Sequence, residues 1–312
     1  QTTGTLMGKQ ERAELVQDIG WEFFIEEHGV EPQSGREVVN WVNGLKDNVR
    51  QSVSGFDLTF SPAKSVSVVW ALSDEETARR IEALHHQAVK EAMAWAEDNA
   101  LFTRVGKRGR EQVKTKGFVA SEFKHYDTRA GDPDLHSHVL VSNKVQTEDG
   151  RWLSIDGYTL MKYHQSISHR YDSILNTLLS NEMGYTFTAC DHGANKEPTW
   201  EIEGVSGSLM ESFSKRRRGA EPVYKRLVEE FVAARGATPN SVEVGRLWQE
   251  AILETRDAKR EPERLTELRA GWRKEVSARE NGAEELAAIA QLAAEEARDK
   301  RPVFHAEDHL SG

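Results

Sequence analysis

The chain has 312 residues, 38% of them hydrophobic and 29% charged, with a formal net charge of −10 and one cysteine. That length holds one large domain or two modest ones, and the composition is that of a soluble globular protein with long solvated helices, not of a membrane-spanning or low-complexity chain. A lone Cys190 excludes an intrachain disulfide, and with no signal segment visible a reducing cytoplasm is the expected setting.

Residues 1–8 (QTTGTLMG) carry no periodicity, and the start reads as an internal fragment or a processed end. Residues 11–27 are predicted as a helix with Leu15, Ile19, Phe23 and Phe24 on one stripe, and residues 36–41 begin a second, short helix. Residues 56–60 alternate as a strand closed by Ser61-Pro62. Residues 64–72 are apolar with interspersed serines, and periodicity there fits helix and strand equally. A long helix follows over 74–99, with Ser73 as its N-cap, acids in its first turn, and Ile81, Leu84, Ala88 and Ala92 spaced for burial. His85 and His86 on this helix read as packing or surface histidines.

Residues 101–105 and 111–115 flank Gly106-Lys-Arg-Gly109 as a basic hairpin. Residues 104–116 hold six basic side chains and one acid, while acids gather in 74–97 and 280–308. Phosphate binding depends on local cation density, so the net negative charge does not exclude nucleic acid; it predicts a footprint on one face. Arg104, Lys107 and Arg108 are the candidate contacts in this ribbon.

Residues 117–145 carry the densest chemistry. In Leu135-His-Ser-His-Val139, residues two apart on a strand point to the same face, so His136 and His138 project together. Upstream, residues 118–125 form a second predicted strand ending in His125, and the Gly131-Asp-Pro-Asp134 turn folds one strand back on the other. Antiparallel pairing would then converge three imidazoles into a site for a divalent metal, Zn²⁺ by ligand softness or Mg²⁺/Mn²⁺ polarising a phosphate.

Beyond it, residues 147–150 make a tight turn into 151–155, residues 160–183 a long helix stopped by Gly184, and 185–188 with 199–202 a final strand pair. Helices are predicted over 209–215, 222–235, 241–254, 263–278 and 283–300. Two more cationic sites lie here: Lys215, Arg216, Arg217 and Arg218 at a helix end, and Arg256 with Lys259 on one helix face. Trp152 and Trp248 are candidates for stacking on unpaired bases. The fold class is α+β: a central antiparallel sheet with packed helices and a helical C-terminal extension. Three segments are expected: a helical lead-in over 1–50, the sheet domain with its metal site over 51–205, and a helical extension clasping DNA over 206–312.

The run Asp132-Pro-Asp-Leu-His-Ser-His138, with His125 ahead of it, resembles the histidine triad of conjugative relaxases of the TrwC/TraI (MobF) type, within the HUH nuclease class. Gly55-Phe-Asp-Leu-Thr-Phe-Ser-Pro-Ala-Lys-Ser-Val-Ser67 is similar to the aspartate-bearing strand of the same enzymes, and weaker patches follow in family order to Trp272. The resemblance implies a relaxase palm in which His125, His136 and His138 hold Mg²⁺ or Mn²⁺ (Zn²⁺ is an option) against the scissile phosphate. It implies that Asp57 orients a ligand histidine or helps activate the nucleophile, and that Lys64 within the second motif and the basic patches contact DNA. The implied substrate is single-stranded or hairpin DNA at a transfer origin, with conjugation accessory and type IV secretion coupling proteins as partners, in a bacterial cytoplasm without membrane insertion.

One departure stands out. The family nucleophile is a tyrosine near the N-terminus, ahead of the aspartate strand, and here no tyrosine precedes Tyr126. Tyr126 would point away from its neighbour His125. The chain is therefore expected to bind metal and DNA without nicking. The rival readings are a rolling-circle replication initiator of the same class, a non-catalytic single-stranded-DNA-binding module, and a zinc hydrolase of small substrates.

Overall fold

Residues 133–142 alternate between buried and outward positions along their whole length, as the central strand of a sheet with one covered face must. In the computed structural model, which describes residues 9–48, 53–191, 198–258, 261 and 263–298, this strand is Pro133–Ser142 (β5). It lies between Gly55–Phe60 (β1) and Ala120–Asp127 (β4), antiparallel to both. The turn joining β4 to β5 is closed by the Thr128 amide on the Asp132 carbonyl at 2.9 Å. Gly131 takes φ +77° there, a conformation that a side chain would strain.

Leu135, Val139 and Val141 point from β5 into the core, each nearly inaccessible. Burial of such side chains contributes about 1.5–3 kcal/mol each, and a one-residue slip would turn all three to solvent, so the register is strongly specified.

The ambiguous residues 64–72 are a helix, Lys64–Leu72 (α3), with residues 65–72 fully covered. Its serines explain the mixed pattern. Ser67 Oγ accepts from the Leu135 amide of β5 at 3.2 Å, and Ser65 Oγ accepts from the Ile202 amide at 2.7 Å, so buried hydroxyls serve backbone donors of neighbouring strands. The next helix, Glu75–Ala100 (α4), is capped by Asp74 and not by Ser73: the Asp74 carboxylate accepts from the Glu76 and Thr77 amides. Ser73 instead closes α3, its hydroxyl on the Val69 carbonyl at 2.6 Å.

The basic hairpin forms as expected, from Phe102–Val105 (β2), a 3-10 turn at Lys107–Gly109 and Glu111–Lys114 (β3). Val145–Gln146 (β6) and Trp152–Leu153 (β7) pair across the 147–150 turn. The predicted 160–183 helix is two: Gly157–Lys162 (α5) and His164–Met183 (α6), joined at Tyr163 and stopped by Gly184 in the left-handed region. Phe187–Cys190 (β8) pairs with Thr199–Ile202 (β9).

A short helix, Gly207–Ser212 (α7), follows. The next, Lys215–Arg235 (α8), begins seven residues before the position predicted and holds Pro222 in its interior. Helix α8 packs with Ser241–Glu254 (α9) around a small cluster of its own, including Ala220, Leu227, Leu247 and Ala251. Leu265–Ser277 (α10) and Gly282–Arg298 (α11) rejoin the main core through Leu268, Trp272, Val276 and Ile289. Arg269 of α10 donates to the carbonyls of Trp70, Ala71 and Ser73, satisfying the C-terminal end of α3.

The chain divides into two units, Gln1–Ser54 and Gly55–Gly312. In the first, Lys9–His28 (α1) and Gly35–Asn48 (α2) form a helical hairpin. The contact line on α1 is Gly20, Phe24 and His28, which keeps Phe24 of the predicted stripe and turns away from the others described. Ile19 and Phe23 are exposed, and the Leu15 side chain lies outside the described residues. The cause is close approach: a Cβ on Gly20 would sit 2.8 Å from Val38 Cγ1, while His28 stacks on Phe24 with centroids 4.2 Å apart.

Candidate metal centre

Strand alternation and two registers build the site. On the outward face of the sheet, His125 of β4 pairs with His136 of β5, and one step along Phe123 pairs with His138, which in turn pairs with Thr59 of β1. Asp57 of β1 occupies the next row, opposite Leu140. The three imidazole centroids are 5.0–5.2 Å apart, and one nitrogen from each lies within 4.8 Å of the others. Among the described residues no other such cluster occurs.

The surroundings of two rings set their tautomers. His136 Nδ1 lies 2.8 Å from the Asp134 carbonyl, which can only accept, so Nδ1 carries the proton. His138 Nδ1 lies 2.9 Å from both Asp57 carboxylate oxygens and 3.2 Å from Thr59 Oγ1. In a neutral ring held this way, Nε2 is the nitrogen that keeps a lone pair for a metal. A carbonyl or carboxylate holding the far side of a ligand imidazole is the arrangement that metal-binding histidines need. Three neutral nitrogens on a rigid sheet fit a divalent transition metal with positions left open.

Directly beneath, on the core face of β5, Ser137 sits between the two histidines and belongs to a buried polar chain. Ser137 donates to Glu122 Oε1 at 2.8 Å; His85 Nε2 lies 2.8 Å from Ser137 Oγ, and His85 Nδ1 lies 2.7 Å from the Tyr171 hydroxyl. Glu122 also meets His86 Nδ1 at 2.6 Å. The donors fall in one order: Tyr171 to His85, His85 to Ser137, Ser137 to Glu122. Burial pushes His85 down to about 3, so its imidazole stays neutral, and the same burial raises the Tyr171 phenol well above its ordinary value. Sequence reasoning gave His85 only a packing role. The available signal was its place four residues after Ile81 on the stripe that α4 buries.

The predicted cations divide. Lys64 Nζ donates to the Pro133 carbonyl at 2.9 Å. The Lys215 amide donates to Asp132 Oδ2 at 2.7 Å, and its Nζ reaches Glu275 at 2.8 Å. With Trp272 Nε1 on the Gly131 carbonyl at 2.8 Å, these groups clamp the turn that feeds β5. They are committed to protein partners. Arg104 likewise is held by Asp156 at 2.9 Å. Lys107, Arg216, Arg217, Arg218 and Arg256 are exposed, Arg218 with one contact to the Ser212 carbonyl. The Arg108 side chain and Lys259 lie outside the described residues. Trp152 is exposed, whereas Trp248 packs edge-on against Tyr224.

The tyrosines offer no group at the triad's face. Tyr126 turns inward and stacks on Trp70 with centroids 5.5 Å apart, as alternation from His125 requires. Tyr171 and Tyr185 are buried, Tyr224 packs in the α8–α9 pair, and Tyr158 is exposed on α5 and Tyr163 joins α5 to α6.

The profile of the TrwC relaxase family matches residues 3–279. The chain belongs to that family. It is 33% identical over 177 residues to the multifunctional conjugation protein TraI of Escherichia coli, and 34% over 184 residues to TraI of strain K12. Each match covers 55% of this chain and spans only 10% of the relative's length. Among solved structures, the metal-bound conjugative relaxase TrwC in complex with oriT DNA superposes with a TM-score of 0.56 at 25% identity, covering 84% of this chain and 86% of that one. The copper-bound TrwC complex gives 0.57 at 24% identity, covering 91% and 97%. The α+β fold expected from the sequence pattern, with its antiparallel sheet, is the fold of this TrwC-family chain.

Proposed function

We propose that this chain is the metal- and DNA-binding body of a relaxase, which nicks and transfers one strand at a plasmid transfer origin through a phosphotyrosine intermediate. The observation that carries the reading is the triad His125, His136 and His138 with Asp57 on the far nitrogen of His138. Those histidines would hold Mg²⁺ or Mn²⁺, with Zn²⁺ also compatible with the donor set. Bound there, the metal would supply charge stabilisation at a phosphate passing through a five-coordinate state. Asp57 keeps the His138 proton on Nδ1, and the Ser137 chain holds β5 from beneath. Arg216, Arg217 and Arg218 in the first turn of α8, with Lys107 of the hairpin and Arg256 after α9, supply exposed cations for the DNA backbone. Single-stranded or hairpin DNA is the substrate class; conjugation accessory and secretion-coupling proteins are the partners such a reaction calls for.

A second reading has its own support. No tyrosine of this chain is seen at the triad, and Tyr126, the nearest in sequence, is packed on Trp70. As it stands the chain then acts as a single-stranded-DNA-binding module. The test is incubation with Mn²⁺ and a labelled single-stranded oligonucleotide carrying the transfer origin. Metal-dependent, salt-sensitive binding without a covalent band on a denaturing gel is the expected result. A covalent adduct formed by this chain alone would refute the non-nicking part, and absence of metal-dependent binding would refute the whole.

A further inference from the structure

Phe123 stands at the fourth corner of a rectangle whose other corners are the three candidate ligands. On β4 it lies two residues from His125, hence on the same face, and across the sheet it pairs with His138. Directly opposed side chains on paired strands have Cβ atoms about 4.5–5.5 Å apart, so a Phe123 ring borders the triad itself. It takes no part in the hydrophobic core and is 50% exposed. Leu140, in the next row, is 46% exposed on the same face. The opposite flank of the triad is polar, formed by Thr59 and Asp57 of β1. The site is therefore asymmetric: three imidazoles in the middle, acidic on the β1 side, aromatic on the β4 side.

A ligand that satisfies both halves must carry an anion and a flat apolar group a short way from it. A nucleotide does, with its base one sugar away from its phosphate. An apolar protein segment would cover the ring but bring no charge to the triad. We propose that Phe123 is the stacking platform for the nucleobase adjoining the phosphate held at His125, His136 and His138. This rests on the reading of the triad as a phosphate-holding centre and adds to it a base-binding subsite on the β4 side. Stacking on an aromatic ring tolerates any base, so the subsite fixes the strand's position more than it reads sequence.

The test uses the full chain with Mn²⁺ and a fluorescent hexathymidylate whose linkages are uncharged methylphosphonates except the central one. A single anionic phosphate then sets the register. Two further probes lack the base on one or the other side of that phosphate. Phe123→Ala is expected to weaken binding of the intact probe by about 5- to 150-fold, the change given by losing one base–aromatic stack of about 1–3 kcal/mol. Phe123→Trp should restore it, Mn²⁺ affinity should not move, and on one of the abasic probes Phe123→Ala should have no effect. Binding by Phe123→Ala equal to that of the unchanged chain, with Mn²⁺ dependence intact, would overturn the subsite and leave the metal reading standing. So would an equal loss on all three probes. Absence of any Mn²⁺-dependent binding by the unchanged chain would instead remove the phosphate-holding reading and the subsite with it.

Discussion

Asp57→Asn separates the role of the carboxylate from that of the ligands. In the structure both Asp57 oxygens lie 2.9 Å from His138 Nδ1, and the side chain is about half exposed (48%). Because of that exposure the pair by itself adds little to folding, on the order of 0.2–1 kcal/mol. Its effect on a metal bound at Nε2 is larger. The carboxylate fixes the tautomer and raises the basicity of the ring, and loss of such a partner generally weakens metal affinity about 10- to 100-fold, or roughly 1.4–2.8 kcal/mol. An asparagine can still accept one hydrogen bond but carries no charge, and its amide can turn to present a donor that favours the wrong tautomer. Asp57→Asn is thus expected to fall at least tenfold in Mn²⁺ or Zn²⁺ affinity by calorimetry, with its unfolding free energy from urea titration within about 1 kcal/mol of the unchanged chain in metal-free buffer. His138→Ala, which removes a ligand outright, should lose more. Metal affinity of Asp57→Asn within twofold of the unchanged chain would show that the carboxylate does not serve the histidine.

Two further outcomes follow from the groups beneath and around the site. His85 is neutral in the fold with a value of about 3 against 6.5 when unfolded, so the unfolded chain binds the extra proton as pH falls. Stability present above pH 6.5 is then lost between 6.5 and about 3, with a slope of up to about 1.4 kcal/mol per pH unit. His85→Gln should be less stable at pH 7 yet show a flatter profile between pH 7 and 5 in urea titrations; parallel profiles would refute the assignment. Lys64→Met and Arg216→Ala should diverge, since Lys64 is bonded to the Pro133 carbonyl and Arg216 is exposed. The first is expected to lower stability by about 1–3 kcal/mol, and the second to reduce the salt dependence of single-strand binding by nearly one counterion with stability unchanged. A DNA-specific loss in Lys64→Met at unchanged stability would reverse those roles.

What the sequence disclosed and what it hid have physical reasons. The triad was legible because strand alternation is local: two histidines two residues apart must share a face, and a turn rich in Gly, Asp and Pro brings the third beside them. The partnership of Asp57 with His138 spans 81 residues and came only from the family resemblance. The protein partners of Lys64 and Lys215 were hidden because charge patterns say nothing of distant acids and carbonyls; Asp132 lies 83 residues from Lys215. Ser73 and Asp74 are both competent caps, and the carboxylate one position later reaches two amides. The break at Tyr163 between α5 and α6 carries no glycine or proline to announce it. On α1, the buried row was chosen by the smallness of Gly20, which a search for large apolar residues passes over.

The strand β5 also explains why site and core cannot vary independently. Its odd-numbered residues from Leu135 to Val141 face the core, and its even-numbered residues from Asp134 to Leu140 face the metal side. Ser137 is the one core-facing polar position among them, and its hydroxyl is held on both sides, by Glu122 of β4 and His85 of α4. A slip of β5 by one residue would bury His136 and His138, expose three large apolar side chains, and leave His85 and Glu122 with no partner at that point. Apolar contacts alone would resist such a slip by burial, without regard to which polar atoms end in contact. The Ser137 contacts add a directional condition, satisfied in a single register, and that register is the one that sets the histidines of β5 beside His125. Placing a buried hydrogen-bonded serine between two ligands therefore ties the precision of the metal side to the packing of the other.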